Sequence, residues 1–333
     1  MLKIQSLRKL KKFQFIKKLF LDFNIPTHIS KNFITVTDIE SKFNEKKINY
    51  LNLHKEDNSV LEFTSEEEFR LVNERIDGHR KQIIPWLDSV RRLKGLRILE
   101  IGCGKGCSTV AFAEQGAIVT AIDVNESYLL DAKVRCELYG LDVNFHLMNA
   151  SEVNHFFKDE IFDVVIFMAS LEHMTIDERI QSMKSTYELL PKGGLWCIVG
   201  TPNRLHFLDS HTSHIPFFHW LPDQIALKYS QFSSRDEYKE NILDIDDEQE
   251  KLLQFYRWGR GVSFHEIELA IKPMNKLKII SNKAQFLRKK NWLYYIGSKF
   301  TPNYKYEIFL RKLYPDIHSC FFQPYLDLII EKE

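Results

Sequence analysis

Cysteine is scarce in this chain of 333 residues: five, at positions 103, 107, 136, 197 and 320. No two of them form a CxxC pair, and their scatter matches neither a zinc site nor a disulfide framework, which fits a reducing compartment. No apolar run approaches the ~18 residues that span a bilayer. The N-terminus is too thickly studded with lysine to hold the apolar stretch of a signal peptide. These absences predict a cytoplasmic protein. An excess of charge of either sign is also missing: 46 Lys and Arg stand against 45 Asp and Glu, a formal net charge of +1. A neutral total gives no whole-protein footprint for nucleic acid. What the chain does have is aromatic bulk, with 25 Phe and 13 Tyr. A bulky core accounts for most of it, and an apolar substrate cleft can take a share.

There is no internal repeat. Residues 1–23 carry seven Lys or Arg and one acid, Asp22. Leu7, Leu10, Phe13, Ile16 and Leu19 recur between them at near-helical spacing. The pattern predicts a basic amphipathic helix over residues 1–20, which either lies on an anionic membrane surface or packs its stripe on the protein. Residues 24–64 carry no pattern that assigns them. Ser65-Glu66-Glu67-Glu68 predicts a capping box opening a helix, and Pro85 predicts a fresh helical start, Trp86 to Leu93, ended by Gly95. From there short apolar strands alternate with amphipathic helices: strands at 96–101, 117–122, 143–148, 162–168 and 195–200, helices at 108–115, 127–139 and 177–190. Strands this apolar, alternating with helices, belong to a doubly wound α/β fold with a parallel sheet covered on both faces. The rhythm breaks between Thr201 and Gly261, in a segment rich in His and aromatics and then acidic, with eight acids from Asp236 to Glu250. It resumes at a second capping box, Ser263 to Glu266, with final strands at 277–280 and 326–331. A basic aromatic stretch, Phe286 to Phe300, lies between them. Four regions follow: a basic helix and helical cap (1–84), a ligand-binding core (85–202), an insertion forming a lid over the substrate site (203–262), and the C-terminal part of the core sheet (263–333).

The turn after the first strand, Glu100-Ile101-Gly102-Cys103-Gly104-Lys105-Gly106, carries the strongest signal. Its three glycines let the backbone turn tightly and approach a ligand. A dinucleotide fingerprint needs G-x-G-x-x-G, and here the third glycine comes one residue early; Lys105-Gly106-Cys107 is not a P-loop either. Glu100 at the mouth of the loop would oppose a pyrophosphate. Asp123 ends the second strand, placed to accept hydrogen bonds from ribose hydroxyls or to cap the next helix. Asn149-Ala150 ends the third strand, placed to meet an adenine edge. Three such features at successive strand ends converge on one crevice.

Ile98 to Gly106 resembles the first motif of class I S-adenosylmethionine (SAM)-dependent methyltransferases. Asp123 is similar to that family's ribose-binding acid, and Asn149-Ala150 to its Asp-Ala adenine motif, with Asn for the usual Asp. Phe162-Asp163-Val164-Val165 with Leu171-Glu172-His173-Met174 resembles its fourth-strand motif, and Leu190-Pro191-Lys192-Gly193-Gly194 the turn before its fifth strand. The likeness is to the ubiquinone-biosynthesis-like branch. It implies a seven-stranded Rossmann-like sheet in the order 3-2-1-4-5-7-6, with the last strand antiparallel, and SAM as cofactor. Glu100, Gly102, Cys103, Gly104, Gly106, Asp123, Val124, Asn149, Ala150 and Met168 would then hold the cofactor, Glu100 suiting its ammonium and sulfonium charges. The Glu-His pair at 172–173 generally shapes the pocket in that family.

Methyl transfer to a hydroxyl requires alignment of the acceptor and a nearby base to remove its proton. Candidates lie after the fourth and fifth strands. His173 is one. His211 and His214 are others, with Asp209 to orient them, or Asp209, His211 and His214 bind a divalent metal, or all three only hold the loop or the substrate. Asn203, Arg204 and Trp220 are candidate substrate contacts. The expected activity is O-methylation of a small or lipid-linked acceptor, such as a cell-surface glycan precursor or a quinone-like compound. The basic helix at 1–20 and the Phe286–Phe300 stretch point to a membrane-proximal or cell-envelope substrate, with peripheral contact to the inner face of a membrane through residues 1–20. A SAM-binding scaffold without turnover is the rival reading. A nucleic-acid or protein methyltransferase fits less well, because the amino-directed Asn/Asp-Pro-Pro-Tyr/Phe motif is missing where Met168-Ala169-Ser170-Leu171 stands.

Overall fold

The computed structural model describes residues 42–49 and 65–333; the basic segment 1–20 lies outside them. Seven strands form one sheet: β1 (Arg97–Ile101), β2 (Ile118–Asp123), β3 (Asn144–Leu147), β4 (Val164–Met168), β5 (Leu195–Pro202), β6 (Lys278–Asn282) and β7 (Tyr325–Glu331), in the order β3-β2-β1-β4-β5-β7-β6. The pairs β3–β2–β1–β4–β5 are parallel and β7 runs antiparallel to both β5 and β6, as the family resemblance implies. Every strand lies within two residues of its expected position. Side chains in a strand alternate between faces, and here both faces are buried. Leu99, Phe167, Trp196, Ile198, Leu328 and Ile330 join one core. Their neighbours Ile98, Ile166, Leu195, Cys197 and Ile329 join the other, with Trp86 and Phe112.

One expectation needs correcting. Helix Ile84–Val90 carries Pro85 in its first turn, as expected of a fresh start, but it ends at Val90 and is not separated from the helix before it. Helix Glu66–Gly78 runs through a π-helical turn, His79–Ile83, directly into helix Ile84–Val90. Proline lacks the N–H that an α-helix would send back four residues, and the wider π turn sits just where that ladder loses a rung. Trp86 is wholly buried and its indole N–H donates to Ser281 on β6 (2.9 Å). Ser65 accepts from the Glu68 amide as a cap should. The second capping box, Ser263 with Glu266, has both its arms.

The segment after β5 is an ordered body with its own core, Ile215, Phe218, Ala226, Tyr238, Ile242 and Phe255. The acidic stretch forms helices Asp236–Leu243 and Glu248–Trp258. Its two ends are stitched together at the sheet edge. Asn203 bridges to Val262, the Arg204 amide donates to the Val262 carbonyl (3.0 Å), and the Val262 amide donates to the Pro202 carbonyl (2.8 Å). Buried Arg179 then fastens the exit, donating to the carbonyls of Leu171, Glu172, Arg260 and Gly261 and pairing with Glu266. Among the described residues no helix is long and apolar enough to cross a membrane.

Candidate functional site

The carboxyl ends of β1, β2 and β3 meet at the glycine loop. Gly102, Gly104 and Gly106 all take positive φ (+73°, +51°, +81°). At Gly102 the reason is also steric: a Cβ there would lie 2.5 Å from the Ser170 Cβ, so only hydrogen fits. A Cβ at Gly104 would meet nothing within 4 Å, which leaves that stretch of backbone open to a ligand. The Gly102 and Cys103 amides both donate to the Ile122 carbonyl. The Gly104 amide donates to one oxygen of Asp123 (2.7 Å), and the Asn125 amide donates to the other (2.9 Å). Asp123 thus ties the loop to the end of β2, while Asn125 caps the following helix. Each carboxylate oxygen keeps a second lone pair for an incoming hydroxyl.

Glu100 is not at the mouth of the loop. It is fully buried, and its oxygens accept from Ser108 and from Thr109 (2.6 Å) in the first turn of helix Cys107–Ala113. Burial pushes its carboxyl up to about 7 against the pull of those two hydroxyls. It builds the loop from behind and does not present charge to a ligand. Lys105, in the loop, pairs with Glu68 and lies 3.6 Å from Asp131, so the helix Glu66–Gly78 is anchored over the glycine turn. Asn149 Oδ1 accepts from the amide and hydroxyl of Ser151, and neither bond uses its Nδ2. Ala150, Met168 and Cys103 are buried, and Val124 is 71% exposed.

The other half of the site is assembled from more distant segments. β4 ends at Met168, and Ala169 takes a left-handed φ of +47°. That conformation costs a non-glycine residue roughly 1–2 kcal/mol and turns the chain sharply into Ser170-Leu171-Glu172-His173. The Glu172 carboxylate is 0% exposed. One oxygen accepts from the Thr201 hydroxyl (3.1 Å), and the other has no hydrogen-bond partner and lies 3.7 Å from His211 Nε2. The tautomers follow from the partners. His173 Nδ1 is 2.6 Å from the Arg257 carbonyl, which only accepts, so Nδ1 carries the proton and Nε2 the lone pair. Thr212 donates its hydroxyl proton to the Gly259 carbonyl (2.9 Å) and therefore accepts from His211 Nδ1 (3.1 Å), which leaves the His211 lone pair on Nε2. Burial lowers the His211 pKa, more than the nearby Glu172 raises it, and keeps the ring neutral at pH 7.

Among the described residues Glu172, His173 and His211 are the group of three acids, imidazoles or thiols whose ligand atoms lie within 4.8 Å of one another. Asp209, His211 and His214 do not form such a group. Asp209 accepts from the amides of His211, Thr212 and Ser213 and from the Ser213 hydroxyl. It faces His219 Nε2 at 3.2 Å, and these bonds hold its carboxyl below the usual range despite burial. It organises the turn instead of orienting His211. His214 is exposed with a left-handed φ of +59°. Asn203 cannot greet a substrate either: its Nδ2 donates to the carbonyls of Phe321 (2.6 Å) and Gln323 (2.8 Å), and its Oδ1 accepts from Leu205. Trp220 is exposed and packs on Phe217, with ring centroids 4.9 Å apart, and Arg204 is half-buried. Sequence reasoning missed the Glu172–His211 pairing. Arg257, which grips Glu178 with two bonds of 2.7 Å and the His173 carbonyl with a third, was missed as well.

With this geometry in place, comparison with known proteins identifies the core. A family model described as a methyltransferase domain matches residues 98–194. Residues 98–194 thus resemble a methyltransferase domain over less than a third of the chain. The chain is 35% identical over 134 residues to a ubiquinone biosynthesis O-methyltransferase of Ruegeria pomeroyi, covering 39% of this chain and 52% of the relative. A Pseudomonas entomophila protein of the same name is 31% identical over 111 residues, covering 33% and 47%. The chain thus spans about half the length of the curated relatives it matches. Among solved structures, the magnesium protoporphyrin IX methyltransferase of Synechocystis, with bound SAH, is 20% identical, with 51% and 74% of the two chains covered and a TM-score of 0.34. The matched methyltransferase domain ends before β5, so Thr201, His211 and Arg257 all lie outside it.

Proposed function

We propose that this chain is a SAM-dependent O-methyltransferase whose acceptor is a small, quinone-like compound bearing a ring hydroxyl. The observation that carries the reading is the convergence of three side chains, Glu172, His173 and His211, on a turn that abuts the glycine loop through the Gly102–Ser170 contact. A buried carboxylate oxygen without a partner, with the lone pair of His211 Nε2 beside it, suits a ligand that brings a proton. Gly102, Gly104, Asp123, Asn149 and Ala150 would hold the cofactor, and SAM supplies an electrophilic methyl group. The acceptor hydroxyl donates to His211 Nε2, which takes its proton as the oxygen turns nucleophilic; such base catalysis contributes roughly 10²–10⁴-fold. The charge of Glu172 stabilises the imidazolium so formed. Thr212 and Gly259 fix the ring's tautomer, and Arg257 and Thr201 hold His173 and Glu172 in place. Residues 203–262 act as the lid that encloses the acceptor, with Arg204 and Trp220 as its substrate contacts.

Titration calorimetry with SAM tests the reading at its root. The unmodified chain is expected to bind, and Asp123→Ala to bind at least tenfold more weakly. A folded chain that binds no SAM refutes the proposal. Turnover is then assayed with catechol-bearing quinone precursors. Binding without transfer to any hydroxyl acceptor would instead support a SAM-binding scaffold. The same three atoms also suit a divalent cation. Turnover abolished by EDTA and restored by Mg²⁺ would favour that arrangement over the base.

A further inference from the structure

The chain between β6 and β7 makes an excursion that the methyltransfer reading leaves without a role. It forms three helices, Lys283–Lys290, Trp292–Ser298 and Pro302–Leu313. Between residues 283 and 314 there are eight Lys or Arg and one acid, a local charge of +7 in a chain whose formal net charge is +1. The one acid, Glu307, is buried between Arg288 (2.7 Å) and Arg311 (2.6 Å), so its charge ties two of the helices together and is not shown to solvent.

The helices are amphipathic in the wrong sense for water. On Trp292–Ser298, the exposed residues Trp292, Tyr295, Ile296 and Lys299 fall at i, i+3, i+4 and i+7, one face of a helix. Trp292 is 68% exposed and Phe300, just beyond, 80%. On Pro302–Leu313 the outward positions are Lys305, Phe309 and Leu313, one turn apart. Bulky aromatics interleaved with lysines on outward faces are the surface chemistry of the boundary between headgroups and acyl chains. There aromatic rings settle among the acyl ends, and lysines meet anionic phosphates.

We infer that these outward faces dock the protein on an anionic lipid bilayer. Charge complementarity selects that partner, and a second feature gives the docking a direction. Helix Pro302–Leu313 is also bonded to the segment that leaves β5: Tyr306 donates to the Leu205 carbonyl (2.8 Å), and Asn303 meets His206 Nε2 (3.1 Å). The lipid-facing element therefore adjoins the chain that leads to Asp209 and His211, on the acceptor side of the sheet.

Co-sedimentation of the full chain with vesicles tests the inference, using phosphatidylcholine alone and phosphatidylcholine with about a third phosphatidylglycerol. The unmodified chain is expected to bind only the anionic vesicles. Lys289→Gln with Lys290→Gln and Lys299→Gln is expected to weaken that binding on the order of 100-fold, at about fivefold per charge. Trp292→Ala with Phe300→Ala weakens it through the apolar half of the contact. All five positions are exposed, and an unchanged thermal melt shows that each variant is folded. A full chain carrying Lys9→Gln, Lys11→Gln, Lys12→Gln and Lys17→Gln reports on the other basic segment and is expected to keep its binding. Three results overturn the inference: no binding by the unmodified chain, binding unchanged by the helix variants, or binding to duplex RNA and not to vesicles. SAM titration on the same preparations lets the docking surface and the methyltransfer reading fail separately.

Discussion

The two halves of the site are built by different means. The cofactor rim is made mostly of backbone: three glycines with positive φ, amide groups of Gly102, Cys103 and Gly104, and a single carboxylate, Asp123, that receives two amides. All of it comes from residues 100–125, one strand-turn-helix-strand unit. The proposed acceptor side is made of side chains from four separate stretches, at 172–173, 201, 211–212 and 257–259. A backbone cradle depends on conformation and tolerates little change of shape. A side-chain constellation depends on chemistry and is reached only after the insertion has folded back. The first therefore fails by steric change and the second by chemical change.

The two halves meet at Gly102, and the largest effect is expected there. Gly102→Ala forces an unfavourable φ and a 2.5 Å contact with the Ser170 Cβ, so both the loop and the Glu172–His173 turn must move. Loss of SAM affinity and of turnover by more than about 100-fold each is expected, by calorimetry and by methyl transfer. Retained SAM affinity would show the halves to be uncoupled. Next comes His211→Ala, which should lower kcat by roughly 10²–10⁴-fold with SAM affinity unchanged. Glu172→Gln sharpens the assignment with a smaller change in rate. Glu172 raises the pKa of His211 while burial lowers it further. Removing the charge should move the acidic limb of the rate profile to lower pH, and an unmoved limb would reduce Glu172 to a packing role.

The smallest effect concerns stability. The Glu100 carboxyl is raised from 4.5 to about 7 by burial, so the folded state holds a proton that the unfolded chain releases. Its contribution is full below pH 4.5 and is lost as pH rises through about 7, a loss on the order of 3 kcal/mol. Urea denaturation at pH 5 and pH 7.5 should show Glu100→Gln gaining relative to the unmodified chain at the higher pH. An equal difference at both values would contradict the buried, protonated carboxyl.

The same contrast explains what the sequence made legible. Strand positions and the glycine turn could be read because apolar alternation and local backbone demands are written within ten residues of where they act. Asp123 could be read because the strand end fixed its place. Glu100 was misjudged because sequence shows that a carboxylate precedes the loop but not which way it points. Ser108 and Thr109, which draw it inward, look like ordinary helix residues. His211 was found, but Asp209 was assigned to it because the two are neighbours in sequence. The true neighbour, Glu172, lies 39 positions away, and only the return of the insertion across the fifth strand brings them together. Pro85 was rightly read as opening a helix, but the π turn that joins this helix to the one before it leaves no local signal in the sequence.

The stitched ends of the insertion have a consequence for how such a protein can diversify. Asn203 and Val262 are held side by side by bonds that belong to the sheet edge, and Arg179 locks the exit from within the core. With its ends fixed together, the chain between them can change length at little entropic cost, since loop closure depends only logarithmically on length. The segment is in effect a socketed part. Exchanging residues 205–259 for another sequence would present a different cap to the same glycine turn while Glu172 stayed in the frame; on the proposed reading, acceptor choice is then free to drift independently of the cofactor machinery.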